Sequence, residues 1–266
     1  MNRSTYYKHF QQNPAPRTIE NQHLKQLILQ IYAKYRKSLG AYKIQVVLER
    51  DYGISISVGR VYRLMKSMDL PKMSTVKPFI HSPKDETGEF HNHLKQQFNP
   101  KAPNMVWASD ITYLKVGSKW CYLCVILDLF SRKVIAWSLS SRIDADLVIS
   151  TFKQAYAARV VPAGLMFHSD RGSQYTSKAF RDLLDSLDVV QSFSKKGYPF
   201  DNACCESFFK FLKHERTNRF TYHSLGELRL DLFDYIESFY NNKRPHGSLD
   251  YLTPNQVEAN FAKQVH

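Results

Sequence analysis

Along the first quarter of the chain, apolar residues recur at three- and four-residue intervals. Leu24, Leu27, Ile28, Ile31 and Tyr35 fall on one face of a helix. A second helical stretch covers 42–50, a break follows at Asp51-Tyr52-Gly53-Ile54, and a third stretch covers 57–68. Gly53 suits a turn and Ser57 a helix cap. In the third stretch Val58, Val61, Leu64 and Met65 face inward, with Arg60, Arg63 and Lys66 on the other side. This is the pattern of a helix-turn-helix with a basic second helix. A plain structural helix hairpin would share the apolar spacing but has no need of the cations.

Beyond residue 103 the period changes. Segments 106–116, 120–129 and 133–140 are rich in Val, Ile, Tyr and Trp, with Gly117-Ser118 and Ser131-Arg132 between them, so they predict three strands in an antiparallel meander. A helix is predicted over 144–159, a strand over 165–168, a helix over 177–187 and a strand over 189–193. A glycine/proline loop over 195–201 precedes helices over 202–216 and 224–241. Three strands followed by alternating helices and strands predict an α/β domain with a mixed five-stranded sheet and flanking helices, preceded by an all-α helix-turn-helix domain. Five of the 11 prolines, Pro71, Pro78, Pro83, Pro100 and Pro103, lie between the two regions and mark a linker.

Composition narrows the function. The 266 residues carry 37 Lys and Arg against 24 Asp and Glu, a formal charge of +13. Residues 1–80 hold 14 of those cations and only 4 of the acids, so the excess belongs to the helical module, and a polyanion is its natural partner. No apolar run approaches the roughly 18 residues of a membrane span, and the N-terminal residues lack the apolar core of a signal peptide. Four cysteines in so long a chain point to a reducing, intracellular setting rather than a disulfide framework.

Three acids stand out: Asp110 within the first predicted strand, Asp170 just after the fourth, and Glu206 early in a helix. A carboxylate inside an apolar strand is costly unless paired or bound to a cation. Mg²⁺ and Mn²⁺ prefer oxygen ligands, and three acids suffice for two ions placed to assist an in-line phosphoryl displacement. Spacing alone decides little, because 35 residues separate Asp170 from Glu206 and also Asp201 from Glu237. Context separates the pairs: Asp170 follows a strand and precedes a glycine turn, whereas Asp201 stands where a helix cap is expected. Glu206, Lys210 and Lys213 share one helix face, opposite Cys204, Phe208, Phe211 and Leu212. That face is either a solvated ion-pair surface or a metal ligand beside two phosphate-binding lysines.

The segments Trp107-Ala-Ser-Asp-Ile-Thr-Tyr113, His168-Ser-Asp-Arg-Gly-Ser-Gln-Tyr175, Asp201-Asn-Ala-Cys-Cys-Glu-Ser-Phe208 with Leu212-Lys213, and Tyr240-Asn-Asn-Lys-Arg-Pro-His246 with Thr253-Pro254 together resemble the integrase-type DDE transposases of bacterial insertion sequences. The resemblance spans nearly the whole chain. It implies a ribonuclease-H-like catalytic core over 104–221, after a helix-turn-helix domain at 1–70 and a linker at 71–103, with a C-terminal helical extension at 222–266. It also implies a site of Asp110, Asp170 and Glu206 holding two Mg²⁺, with Mn²⁺ as a substitute, and a basic residue seven after the Glu, here Lys213. The expected activity is cleavage of double-stranded DNA at element ends, then strand transfer into target DNA, by a homo-oligomer on paired ends in the bacterial cytoplasm at the nucleoid. The subgroup it resembles makes its catalytic protein from a second reading frame, fused to or paired with a first-frame helix-turn-helix protein. Arg3-Ser-Thr-Tyr-Tyr7 looks like the tail of a helix from such a longer product. Arg60, Arg63, Lys66, Arg171, Gln174, Tyr175, Lys210, Lys213, Arg244 and His246 are the candidate DNA contacts; for Arg244 and His246, helix C-capping is an equal alternative.

Other clusters carry less. Cys121 and Cys124 would point to opposite faces of one strand, which disfavours a zinc site with His91 and His93. His168 at a strand end reads as hydrogen-bonded support, Asp128 as a turn anchor, and Asp144 and Asp146 as partners of a helix dipole.

Overall fold

Among the described residues, helical periodicity produces three helices in the first part of the chain: α1 (Pro16–Lys34), α2 (Ala41–Tyr52) and α3 (Val58–Lys66). The computed structural model describes residues 15–70, 90–195 and 199–265. The Arg3–Tyr7 segment and the first half of the proline-rich stretch, residues 71–89, therefore lie outside the described residues. Leu24, Ile28 and Ile31 of α1, Ile44, Val47 and Leu48 of α2, and Val61, Leu64 and Met65 of α3 are buried together as one small core. Gly53 ends α2 with φ +66°, a left-handed conformation that a side chain disfavours. Ser57 caps α3, its Oγ accepting from the Arg60 N–H at 3.3 Å.

The chain divides into two compact units, Met1–Lys77 and Pro78–His266. In the second unit the strands are β1 (Val106–Val116), β2 (Lys119–Asp128), β3 (Val134–Ser140), β4 (Met166–Ser169) and β5 (Val190–Phe193), in the order β3-β2-β1-β4-β5. The first three pair antiparallel, while β1–β4 and β4–β5 are parallel. Parallel pairing needs crossovers, which α4 (Ala145–Ala158) and α5 (Lys178–Ser186) supply. Trp107, Phe152, Phe167, Tyr175, Phe180 and Leu184 fill the layer between these helices and one sheet face. Asp144 caps α4 by accepting from the Leu147 N–H at 3.1 Å.

Further on lie α6 (Ala203–Glu215), α7 (Leu225–Phe233) and α8 (Pro254–Val265). The single helix expected over 224–241 changes pitch: Asp234–Tyr240 winds as a π-helix, with the Asn241 N–H bonded to the Ile236 carbonyl. The wider turn buries Tyr235, Ile236, Phe239 and Tyr240 together. Glu237 and Asn241 bind the sheet, accepting from Trp137 Nε1 at 3.1 Å and from the Val134 N–H at 3.1 Å.

Part of the expected linker is not a linker. The Phe193 N–H donates to the His91 carbonyl at 2.9 Å, and the His93 and Leu94 N–H groups donate to Ser192 Oγ at 3.0 and 3.1 Å. The short edge strand β5 leaves backbone groups in need of partners, and residues 90–94 supply them. No helix among the described residues is long and apolar enough to cross a membrane.

Candidate active site

Register brings the two aspartates together. Ala108 of β1 pairs with His168 of β4 in parallel, so Asp110 and Asp170, each two residues further on, stand level on adjacent chains at the C-terminal end of β4. Sites gather at such strand ends. Asp110 Oδ1 accepts from the Ile111 N–H at 2.7 Å, and Asp170 Oδ1 accepts from the Gly172 N–H at 2.9 Å. A Cβ on Gly172 would come within 2.4 Å of Gln174 Nε2 and 3.0 Å of Asp170 Oδ1, so a side chain there would displace the Gln174 amide and press on the Asp170 carboxylate.

Helix α6 brings in the third acid. Its N-cap, Asn202, is buried and donates from Nδ2 to the carbonyl of Ser109, the residue before Asp110, at 2.9 Å. Cys205, Phe208, Phe209 and Leu212 seat the helix, leaving Glu206 and Lys210 exposed and Lys213 half-buried. The electrostatics register this convergence. The Asp110 carboxyl is pushed up to about 7, first by burial and then by the charge of Asp170, against the Ile111 N–H; Glu206 adds to the rise and Lys213 opposes it. Burial also raises Glu206 and lowers Lys213.

Among the described residues, no three His, Cys, Asp or Glu side chains are already converged as a metal cage. The donor set itself fits a hard divalent cation: three carboxylates, one held high first by burial and then by its acidic neighbours.

Several expected DNA contacts are structural instead. Tyr175 is fully buried, its hydroxyl 2.8 Å from Ser109 Oγ, beneath the site rather than at its mouth. Arg171 donates to the carbonyls of Ser194 and Phe90 at 3.0 and 3.2 Å, bracing the β5 edge. Arg244 is 1% exposed and ion-paired with Glu215, and His246 is 4% exposed against the Tyr240 carbonyl. Both are buried away from the surface, and His246 serves the capping alternative, its Nε2 lying on the carbonyl of Tyr240, the last residue of the π-helical turn. Arg60 spans helices, its guanidinium bonded to Glu20 and Asn21 of α1 at 3.0 and 2.9 Å. Gln174 is half-buried over Gly172, while Arg63, Lys66 and Lys210 are exposed. Asp201 is not a helix cap; it accepts from the Lys195 N–H, Asn92 Nδ2 and Gln96 Nε2 at 2.8 to 2.9 Å. His168 is support as expected, between Ser192 Oγ at 2.9 Å and Ser194 Oγ at 3.1 Å. Asp128 holds the Asn104 and Phe130 N–H groups, and all four cysteines are free thiols. Asn202, Ser109 and Gly172 stood inside the recognised motifs, but nothing in their spacing showed that they position the acids.

Two models described as integrase core domain match residues 100–199 and 206–260, and one described as HTH-like domain matches residues 19–78. The chain is 37% identical to the transposase for insertion sequence element IS904 of Lactococcus lactis, over 92% of this chain and 97% of that one. It is 35% identical to transposase InsF for insertion sequence IS3A of Escherichia coli, over 89% of this chain and 82% of that one. Among solved structures, the HTLV-2 integrase catalytic core domain in complex with magnesium is similar at 22% identity, covering 59% of this chain and 98% of that chain, with a TM-score of 0.46. With an HTH-like domain ahead of an integrase core, and with such relatives matched over most of their length, the chain belongs to the insertion-sequence transposases, enzymes of polynucleotidyl transfer.

Proposed function

We propose that Asp110, Asp170 and Glu206 are the catalytic carboxylates with which this transposase cuts element ends and joins them to target DNA. The observation that carries this is the placement of Asp110: level with Asp170 by strand register and tied through Ser109 and Asn202 to the helix of Glu206. The three acids are the residues that would hold two Mg²⁺ ions, or Mn²⁺ in their place. When bound, such ions activate the attacking oxygen and stabilise charge on the attacking and leaving oxygens of an in-line displacement.

The protein's own groups do the positioning. The Ile111 and Gly172 N–H groups orient the two aspartates, and Asn202 fixes where α6 starts. Lys213 faces the acids from the same helix and neutralises substrate phosphate, with Lys210 one turn earlier on the exposed side. In the first step water attacks the scissile phosphate and frees a 3′-hydroxyl; in the second that hydroxyl attacks a target phosphodiester and expels its 3′ oxygen. No covalent enzyme intermediate is required.

Arg63 and Lys66 on the exposed side of α3 supply double-stranded DNA contacts in the helix-turn-helix unit. We further propose action as a homo-oligomer on paired ends, alone or with a first-frame helix-turn-helix protein, on nucleoid DNA in the bacterial cytoplasm. The test uses labelled element ends and target DNA with Mg²⁺ or EDTA. Asp110→Asn, Asp170→Asn and Glu206→Gln should each abolish cleaved and joined products while duplex binding persists. Normal Mg²⁺-dependent cleavage by any of them would overturn the assignment.

A further inference from the structure

One groove in the catalytic unit is, apart from Lys213, unused by this mechanism. It has a volume of about 450 Å³ and lies where the β1–β2 hairpin meets the segment after α6. Tyr113, Lys115, Trp120, Lys213 and Phe220 line it, and no acidic residue does. The three aromatic residues are 54%, 56% and 55% exposed, an unusual display of large rings on one concave surface. Among the described residues, neither lysine is held in an ion pair.

The groove is built rather than incidental. The Gly117 N–H at the hairpin tip donates to the Tyr222 carbonyl at 2.8 Å, fixing its two walls. Tyr222 donates to Asp231 at 2.6 Å, and Arg216, bonded to the same Asp231 at 2.7 Å, places its guanidinium 5.1 Å from the Phe220 ring. It is also continuous with the acids. Lys213, on the helix that carries Glu206, lines the groove and acts electrostatically on Asp110.

We propose that this groove binds an unpaired stretch of a DNA strand leading from the catalytic acids, with a base stacked on Trp120 or Phe220 and phosphates on Lys115 and Lys213. Rings and unpaired cations in alternation are the chemistry of single-strand binding. A duplex offers such rings little, because its base faces are already stacked. An acidic peptide would use the lysines but leave three exposed rings without a counterpart. The groove thus favours element ends whose last base pairs have opened. The inference rests on the transposase reading for where the strand comes from, but its test does not require catalysis.

The test titrates the full chain with a short oligothymidylate in EDTA and follows tryptophan emission. Trp107, Trp120 and Trp137 all lie in the second unit, so the signal reports on it and not on the helix-turn-helix. A saturable quench is expected, lost in large part in Trp120→Leu. Anisotropy of a labelled oligothymidylate should show binding weakened about five- to hundredfold in Trp120→Leu and in Phe220→Leu, and restored in Trp120→Phe. If Trp120→Leu does not fold, Phe220→Leu and Lys115→Glu carry the same test. Unchanged binding in these variants overturns the proposal. Asp110→Asn should keep the quench while losing cleavage, so failure of the groove and failure of the catalytic assignment give different results.

Discussion

Arg244 lays its guanidinium along Glu215, with Nη2 2.8 Å from Oε1 and Nε 2.8 Å from Oε2, and both side chains are almost wholly buried. Tyr235 donates a further bond to Glu215 at 2.9 Å, and the Arg244 guanidinium carbon sits 3.9 Å from the centre of the Phe211 ring. Glu215 is the last residue of the helix that carries Glu206, so this pair clamps the far end of α6 while Asn202 holds its start. The helix is therefore fixed at both ends by buried polar contacts, which is how a single exposed acid is kept in register with two strand-borne ones.

Breaking the clamp should cost about 3–5 kcal/mol of unfolding free energy, because the surviving partner is left as a buried charge. Arg244→Met and Glu215→Leu should each show it in denaturant titrations of the full chain. Arg244→Lys should not restore stability, since an ammonium cannot make the two-point contact. The double replacement should be milder than either single one. A stable Arg244→Met protein would show that the pair does not hold α6.

Asn202→Ala removes the bond to the Ser109 carbonyl and leaves that buried acceptor unmet, a loss of about 1–3 kcal/mol. The larger effect is expected on the reaction: cleavage should fall about tenfold or more at unchanged affinity for duplex ends, since small displacements of reacting groups are expensive. Single-turnover cleavage beside a binding isotherm separates the two.

Burial pushes the His168 imidazole down to about 4, from an ordinary value near 6.5. Its ring nitrogens meet the neutral hydroxyls of Ser192 and Ser194, and Asp201 opposes the shift without overcoming the burial. Above pH 6.5 the folded and unfolded chains both hold it neutral, and it contributes no pH dependence. As pH falls from 6.5 toward 4, the unfolded chain takes up a proton that the folded chain refuses, so stability drops by a total on the order of 3 kcal/mol. Thermal unfolding across that window should show the slope in the wild type and a shallower one in His168→Gln.

Arg63→Ala and Lys66→Ala should weaken duplex binding across all sequences and reduce the salt dependence of affinity by about one phosphate contact each. Arg60→Ala should leave that salt slope unchanged, because its guanidinium is committed to Glu20 and Asn21. A reduced slope for Arg60→Ala would return this residue to the DNA surface.

Periodicity and turn residues made most elements legible. The antiparallel meander, the two crossover helices and the capped α3 come from local rules: alternation of β-branched residues, three-and-four spacing, and Ser57 and Gly53 at the ends where they serve. What local rules missed were contacts between distant segments. Residues 90–94 looked like linker because nothing near them in sequence shows that β5 needs hydrogen-bond partners. Asp201 looked like a cap because its partners, Asn92 and Gln96, lie over a hundred positions away.

By itself, the sequence determined the order of the elements and the concentration of net positive charge in the N-terminal region, since each depends on residue type and short-range spacing, and its motifs singled out the three acids proposed as catalytic. Only the tertiary structure decided which polar residues face substrate and which face the core. Tyr175, Arg244 and His246 have the same chemistry as DNA contacts, yet each is spent inside the protein, where a buried polar group must find a partner, and half-buried Arg171 is bonded to two backbone carbonyls. The converse holds for Trp120 and Phe220, which composition would assign to a core and which the fold leaves at the surface, in a groove they line with Lys213. Burial is a property of where chains meet, and no local pattern encodes it.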